Sequence, residues 1–215
     1  KVYPPMSRFL AQKGVRLADG FSERNIEYGP DLVIVGNAVT RDNPEARKMV
    51  EAGLYFCSMP QALNHFIASG KKTLLVAGTH GKTTTASLTA WILFHAGCDP
   101  CFFIGGILNN FDSNYRLGNG DVMIVEGDEY DTAYFNKVPK FVHYDPALAI
   151  LTSVEFDHAD IYRDMDQVTE VFRGFVANLS AQSTLFTFDG DDIVAGLRRQ
   201  GRCRRVAYGR RADSD

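Results

Sequence analysis

Long apolar runs are missing from this 215-residue chain. No stretch approaches the ~20 consecutive apolar residues that a bilayer-spanning helix needs, and the first residues lack the layout of a secretory leader, so a cytoplasmic location without membrane contact is expected. Positive charge is not in excess either. The 23 Lys and Arg are outnumbered by 26 Asp and Glu, a net charge of −3, which argues against a general attraction to nucleic acid or to an anionic lipid surface. Cysteine is scarce: Cys57, Cys98, Cys101 and Cys203 are too few and too scattered for a disulfide framework. Cys98-Asp99-Pro100-Cys101 has the spacing of half a zinc site, but no second pair exists to complete it, and buried thiols beside a strand are the simpler reading. Internal repeats and low-complexity tracts are absent as well.

What remains is ordinary globular material, 45% hydrophobic and 23% charged, with enough chain for one or two domains. Residues 5–13 read as a short helix and 31–35 as a buried strand. Asn43 followed by Pro44 caps a helix that Gly53 stops, and a strand over 54–57 leads to a helix from Pro60 to Ala68 capped by Ser58. Such alternation implies a parallel sheet. Residues 69–72 read as a linker between a first domain, 1–69, and a second, 70–215. In the second, a strand over 74–77 feeds a helix over 82–95 with an apolar face of Leu88, Trp91, Ile92 and His95. Strands follow at 102–104, 122–125 and 148–154, then an amphipathic helix marked by Val168, Val171, Phe172, Phe175 and Leu179, and a strand at 184–188. The loop 109–120 reads as mobile, and 189–215, rich in charge and glycine, closes no recognisable domain.

The most specific signal is Gly78-Thr79-His80-Gly81-Lys82-Thr83-Thr84, which stands between the apolar strand and the helix. Glycines at such a turn let the backbone approach an anion, and the amides of the first helical turn point at it. Lys82 supplies a charge for β- and γ-phosphates and Thr83 a hydroxyl for magnesium. The loop is shorter than the usual pattern, with Val76 where the first glycine belongs and Gly78 opening the turn instead. A nucleoside triphosphate site also needs a carboxylate, and the strand at 122–125 ends in Glu126-Gly127-Asp128-Glu129-Tyr130-Asp131. Magnesium takes one or two carboxylates plus phosphates and waters, so Glu126, first after the strand, is the candidate ligand. Asp128 and Glu129 fit a solvated acidic turn better, and Asp131 a cap of the next turn. A third strand delivers Glu155, Asp157 and His158 to the same sheet edge, where ligands bind in open α/β sheets.

These three signatures together resemble those of the Mur ligases, ATP-dependent enzymes that build the peptide of bacterial peptidoglycan. Tyr3-Pro4-Pro5-Met6-Ser7, the segment 36–44, Glu129-Tyr130-Asp131-Thr132 and the segment 140–144 are similar to stretches of the family branch that acts in murein recycling. The resemblance implies an α/β fold in which a partial Rossmann-like UDP-sugar domain, without its opening strand and glycine turn, precedes an incomplete P-loop parallel-sheet ATPase domain, the C-terminal domain being absent. It implies that Gly78, Thr79, Gly81, Lys82, Thr83 and Thr84 bind ATP, that Thr83 and Glu126 hold Mg2+, and that His158 holds a second metal near the acyl centre. Lys82, Glu126 and His158 are the implied catalytic residues. His80 would face the muramoyl substrate and Asn37 would lie near the UDP moiety. Ser153 departs from the pattern, since many relatives carry asparagine there. The implied reaction joins the lactyl carboxylate of UDP-N-acetylmuramate to L-alanyl-γ-D-glutamyl-meso-diaminopimelate through an acyl phosphate. Two alternatives stand beside it: addition of free L-alanine to the same sugar nucleotide, and a nucleotide-binding module without ligase chemistry.

Overall fold

A computed structural model of the chain describes Pro4, residues 6–157 and residues 162–209. By its internal contacts the chain divides into two compact units, Lys1–Met59 with Ala133–Asn136, and Pro60–Thr132 with Lys137–Asp215. The first unit holds helix α1 (Met6–Gln12), strand β1 (Val33–Val35), helix α2 (Pro44–Glu51) and strand β2 (Phe56–Ser58), with β1 and β2 paired in parallel. The Asn43 side chain caps α2 by accepting from the amides of Glu45 and Ala46, and Pro44 fits the first turn because it has no amide hydrogen to leave unpaired. Val35, Ala46 and Met49 are buried within this unit.

Helix α3 (Met59–Phe66) leads into strand β3 (Lys72–Ala77), which feeds helix α4 (Lys82–His95). Strands β4 (Cys101–Leu108), β5 (Ser113–Arg116) and β6 (Val122–Gly127) follow, then a hairpin of β7 (Asp131–Ala133) and β8 (Asn136–Pro139). Strand β9 (Leu148–Leu151), helix α5 (Met165–Asn178), strand β10 (Thr184–Phe188), helix α6 (Asp192–Arg198) and strand β11 (Arg204–Tyr208) complete the order. Seven strands form one sheet in the order β11-β10-β9-β3-β6-β4-β5, parallel throughout except for the antiparallel pair β4/β5.

Strand β3 shows why the sheet is covered on both sides. Leu74 and Val76 pack in one apolar cluster with Ala86 and Ala90 of α4 and with Phe102 and Ile124. Leu75 and Ala77, one residue out of phase, pack in the other with Val168, Phe172 and Val176 of α5 and Val194 and Leu197 of α6. β3 is followed by a helix on one face and its neighbour β9 by a helix on the other, so the connections switch faces at their carboxyl ends, the place where open α/β sheets bind ligands.

Five sequence expectations change here. The buried positions of α4 are Ala86 and Ala90, while Leu88 and Ile92 are 57% and 63% exposed, because small residues let the helix lie close on the sheet. The third strand stops at Leu151 rather than 154, since the next residues turn to bond the glycine loop after β3. The loop 109–120 contains β5, and residues 189–209, expected to close no domain, contain helix α6 and the parallel edge strand β11 of the sheet. The helix after β2 begins at Met59, with Ser58 the last residue of the strand. No helix among the described residues is long and apolar enough to cross a membrane.

Candidate functional site

Strand register builds the site. Ala77, the last residue of β3, lies opposite Gly127 of β6 and Leu151 of β9, so three strand ends are level and their following loops share one edge. Gly78 then turns with φ +128, and a Cβ there would stand 2.2 Å from Thr152 Oγ1 and 2.9 Å from the Ser153 carbonyl oxygen. Only glycine fits that approach. The loop is tied to β9 by a ladder of polar contacts: Thr79 N–H donates to Ser153 O at 2.8 Å, His80 N–H to Ser153 Oγ at 3.1 Å, Thr152 Oγ1 to His80 O at 2.6 Å and Glu155 N–H to Thr79 Oγ1 at 3.0 Å. Ser153, a departure from the family pattern, thus takes part through both backbone and side chain. Gly81 follows with φ +80 and starts α4 without a side-chain cap, which leaves the helix's first turn open toward an anion.

Lys82 opens α4 and folds back beneath the loop. Its ammonium donates to the carbonyl oxygens of Gly78 (2.6 Å) and Thr79 (3.2 Å) and to Glu129 Oε2 (3.1 Å). The Lys82 and Glu129 side chains are only 12% and 2% exposed. Glu129 is therefore not part of a solvated turn. Residues 128–130 fold inward, pinned by a 2.7 Å ion pair between Asp128 and Lys140 and by the Tyr162 hydroxyl, which donates to the Glu129 carbonyl oxygen at 2.7 Å. Burial is the main reason that the Tyr162 hydroxyl holds its proton up to about 12. Asp131, expected as a cap, instead begins β7.

Glu126 lies inside β6 rather than after it, opposite Val76. The register aims its side chain at α4, where Thr83 Oγ1 donates to Oε2 at 3.2 Å while Gly105 N–H donates to Oε1 at 3.2 Å. Burial pushes the Glu126 carboxyl above its ordinary range, against the pull of those two hydrogen bonds. Among the described residues no group of three or more His, Cys, Asp or Glu side chains is placed to hold a metal. A magnesium site shared with phosphates and waters does not need such a cage, and one hydroxyl plus one carboxylate fits its hard-oxygen demand. Beside Thr83 and Thr84 a cleft of about 330 Å³ runs along α4, lined also by Ser87, Trp91, Asn109 and Asn110.

The remaining candidates divide. His80 is exposed at the loop's mouth, its Nε2 3.8 Å from Glu155 Oε2. Asn37 sits in the turn after β1 and belongs to the first unit. His158 lies outside the described residues. Thr152, Ser153 and Glu129 were missed as site residues, for the first two carry no chemical signature and the third looked like one of four loop carboxylates.

Two family models match the chain: the Mur ligase family catalytic domain over residues 1–71 and the Mur ligase middle domain over 76–215. The UDP-N-acetylmuramate–L-alanyl-γ-D-glutamyl-meso-2,6-diaminoheptandioate ligase of Escherichia coli K12 is 44% identical over 190 residues, covering 88% of this chain and 42% of the relative. The UDP-N-acetylmuramate–L-alanine ligase of Syntrophomonas wolfei is 36% identical over 188 residues, covering 87% and 39%. The crystal structure of the UDP-N-acetylmuramate:L-alanyl-γ-D-glutamyl-meso-diaminopimelate ligase from Neisseria meningitides superposes with a TM-score of 0.90 at 35% identity, covering 98% of this chain and 68% of that one. The chain spans about two fifths of the length of the curated relatives it matches. With both models matched in order along its length, the chain belongs to the Mur ligase family.

Proposed function

We propose that the chain is the nucleotide-activating part of an ATP-dependent ligase that joins the lactyl carboxylate of UDP-N-acetylmuramate to L-alanyl-γ-D-glutamyl-meso-diaminopimelate, in cytoplasmic peptidoglycan recycling. The observation that carries the reading is the meeting of Lys82, Thr83 and Glu126 at level strand ends, under a glycine loop opening a helix. ATP activates the lactyl carboxylate as an acyl phosphate, and the amine of the tripeptide displaces phosphate. Transfer of this kind asks the protein for position and charge rather than a nucleophile. Lys82 faces the β- and γ-phosphates with the amides of residues 78–84. Thr83 and Glu126 would hold Mg2+, which neutralises phosphate charge, and His158 a second metal. His80 faces the muramoyl group. Residues 1–69, with Asn37, serve the UDP moiety, and residues 70–215 serve ATP.

Higher identity to the tripeptide ligase, 44% against 36%, favours tripeptide over free L-alanine as the amine. The full-length gene product, given ATP, magnesium and UDP-N-acetylmuramate, is expected to form amide product at least ~100-fold faster with tripeptide than with L-alanine, as a site built around the larger substrate's polar groups would require. Mass spectrometry of the products decides it. Preference for L-alanine would replace the amine assignment, and ATP turnover indifferent to the muramoyl carboxylate would replace the ligase reading with a nucleotide-responsive module.

A further inference from the structure

An ammonium has three donors, and those of Lys82 are all engaged: two with the loop's own carbonyl oxygens and one with Glu129. Two of these acceptors are neutral dipoles that the loop carries wherever it goes. The third, Glu129, is a full negative charge from another strand's loop, 2% exposed, whose backbone carbonyl accepts from the Tyr162 hydroxyl and whose neighbour Asp128 is paired with Lys140. A lysine that only needed to stay near its loop would not require a buried carboxylate. A triphosphate brings its own negative charge to the same ammonium, so the two anions compete for one cation.

We propose that Glu129 is a positioning residue, the resident counter-ion of Lys82, which holds the ammonium beneath the loop while the site is empty and surrenders it to the incoming β- and γ-phosphates. This rests on the reading of residues 78–84 as a triphosphate cradle. Glu129 lowers the energy of the empty site, because its carboxylate is in direct contact with the mostly buried Lys82 ammonium at 3.1 Å, beside a Coulombic attraction from Glu126. It also repels the arriving phosphates. Both effects weaken triphosphate binding, and neither touches a nucleotide without β- and γ-phosphates. The exchange costs affinity but keeps a mostly buried lysine aimed before any nucleotide arrives, and it favours release of the spent nucleotide.

The test is calorimetric titration of Mg-ATP and of AMP into the wild type, Glu129→Gln, Lys82→Ala and the double variant, with thermal unfolding of each nucleotide-free protein. Glutamine keeps the shape and an acceptor for Lys82 but removes the charge. Glu129→Gln is expected to unfold at lower temperature when empty yet to bind Mg-ATP about tenfold tighter, the size of one charged hydrogen bond no longer lost in exchange, with AMP binding unchanged. In the Lys82→Ala background the same change should bring no gain. Should Glu129→Gln not fold, Glu129→Asp, whose carboxylate falls short of Lys82 by one methylene, should give a smaller gain of the same sign. Equal or weaker Mg-ATP binding in a folded variant, a parallel change in AMP binding, or a gain that survives loss of Lys82 overturns the proposal. If the wild type itself binds no Mg-ATP, the nucleotide reading fails instead.

Discussion

At the scale of single residues, Glu126 is a group that the fold would hold more cheaply without charge. Burial raises its carboxyl above the ordinary range, so the folded protein holds that proton more tightly than the unfolded chain does. Such a group costs nothing at pH values below its unfolded value, where both states are protonated, and its cost appears as pH rises through the folded value. Glu126→Gln, whose amide oxygen can still accept from Gly105 N–H while its NH2 donates to Thr83 Oγ1, is therefore expected to raise the unfolding temperature of the nucleotide-free protein by a few degrees at pH 7, and the gain should vanish below about pH 4. Thermal melts across that range check it. A variant less stable than wild type at pH 7 would show that the carboxylate supports the fold rather than a ligand. The same variant should lose magnesium-dependent activity, which places Glu126 among residues kept for function at a cost in stability.

At the scale of elements, helix α4 decides how near the phosphate loop lies to Glu126. Ala86 and Ala90 are fully buried against the sheet, and Gly106 allows Thr83 to come within 3.2 Å of where its Cβ would be. Enlarging this seam should push the helix outward: Ala90→Leu is expected to destabilise by about 1–3 kcal/mol, whereas Leu88→Ala on the exposed side should change stability by no more than about 0.5 kcal/mol. Chemical denaturation of the two variants measures both. The reverse order would mean that α4 buries Leu88 and that its orientation here is wrong. The helix's bounds, 82–95, were legible in the sequence because glycine before it and Gly97 after it punctuate a long apolar pattern. Its inward face was not. Large apolar residues are counted as buried by any periodicity argument, and here alanines take that place while Leu88 and Ile92 face out. Short edge elements were missed for a related reason. Strands β5 and β11 are half-exposed or exposed along their length, with too little apolar alternation to read.

At the scale of the molecule, the sequence carried the order of strands and helices around the phosphate loop because parallel α/β folds repeat one unit with short connections. It placed Lys82, Thr83 and Glu126 at one sheet edge, since each follows or ends a buried strand. What it could not show was pairing across the sheet. That Thr152 and Ser153 hold the loop, and that Glu129 meets Lys82, depends on β9 and β6 flanking β3, a fact of topology with no local signal. If this edge is a Mg-ATP site organised by Lys82, calorimetry on the wild type and Lys82→Ala will show it. Removing a charged hydrogen-bond donor at such a site should weaken Mg-ATP by on the order of tenfold to a hundredfold while AMP, which lacks the β- and γ-phosphates, binds both proteins alike. Mg-ATP affinity unchanged by Lys82→Ala in a folded protein would contradict the account.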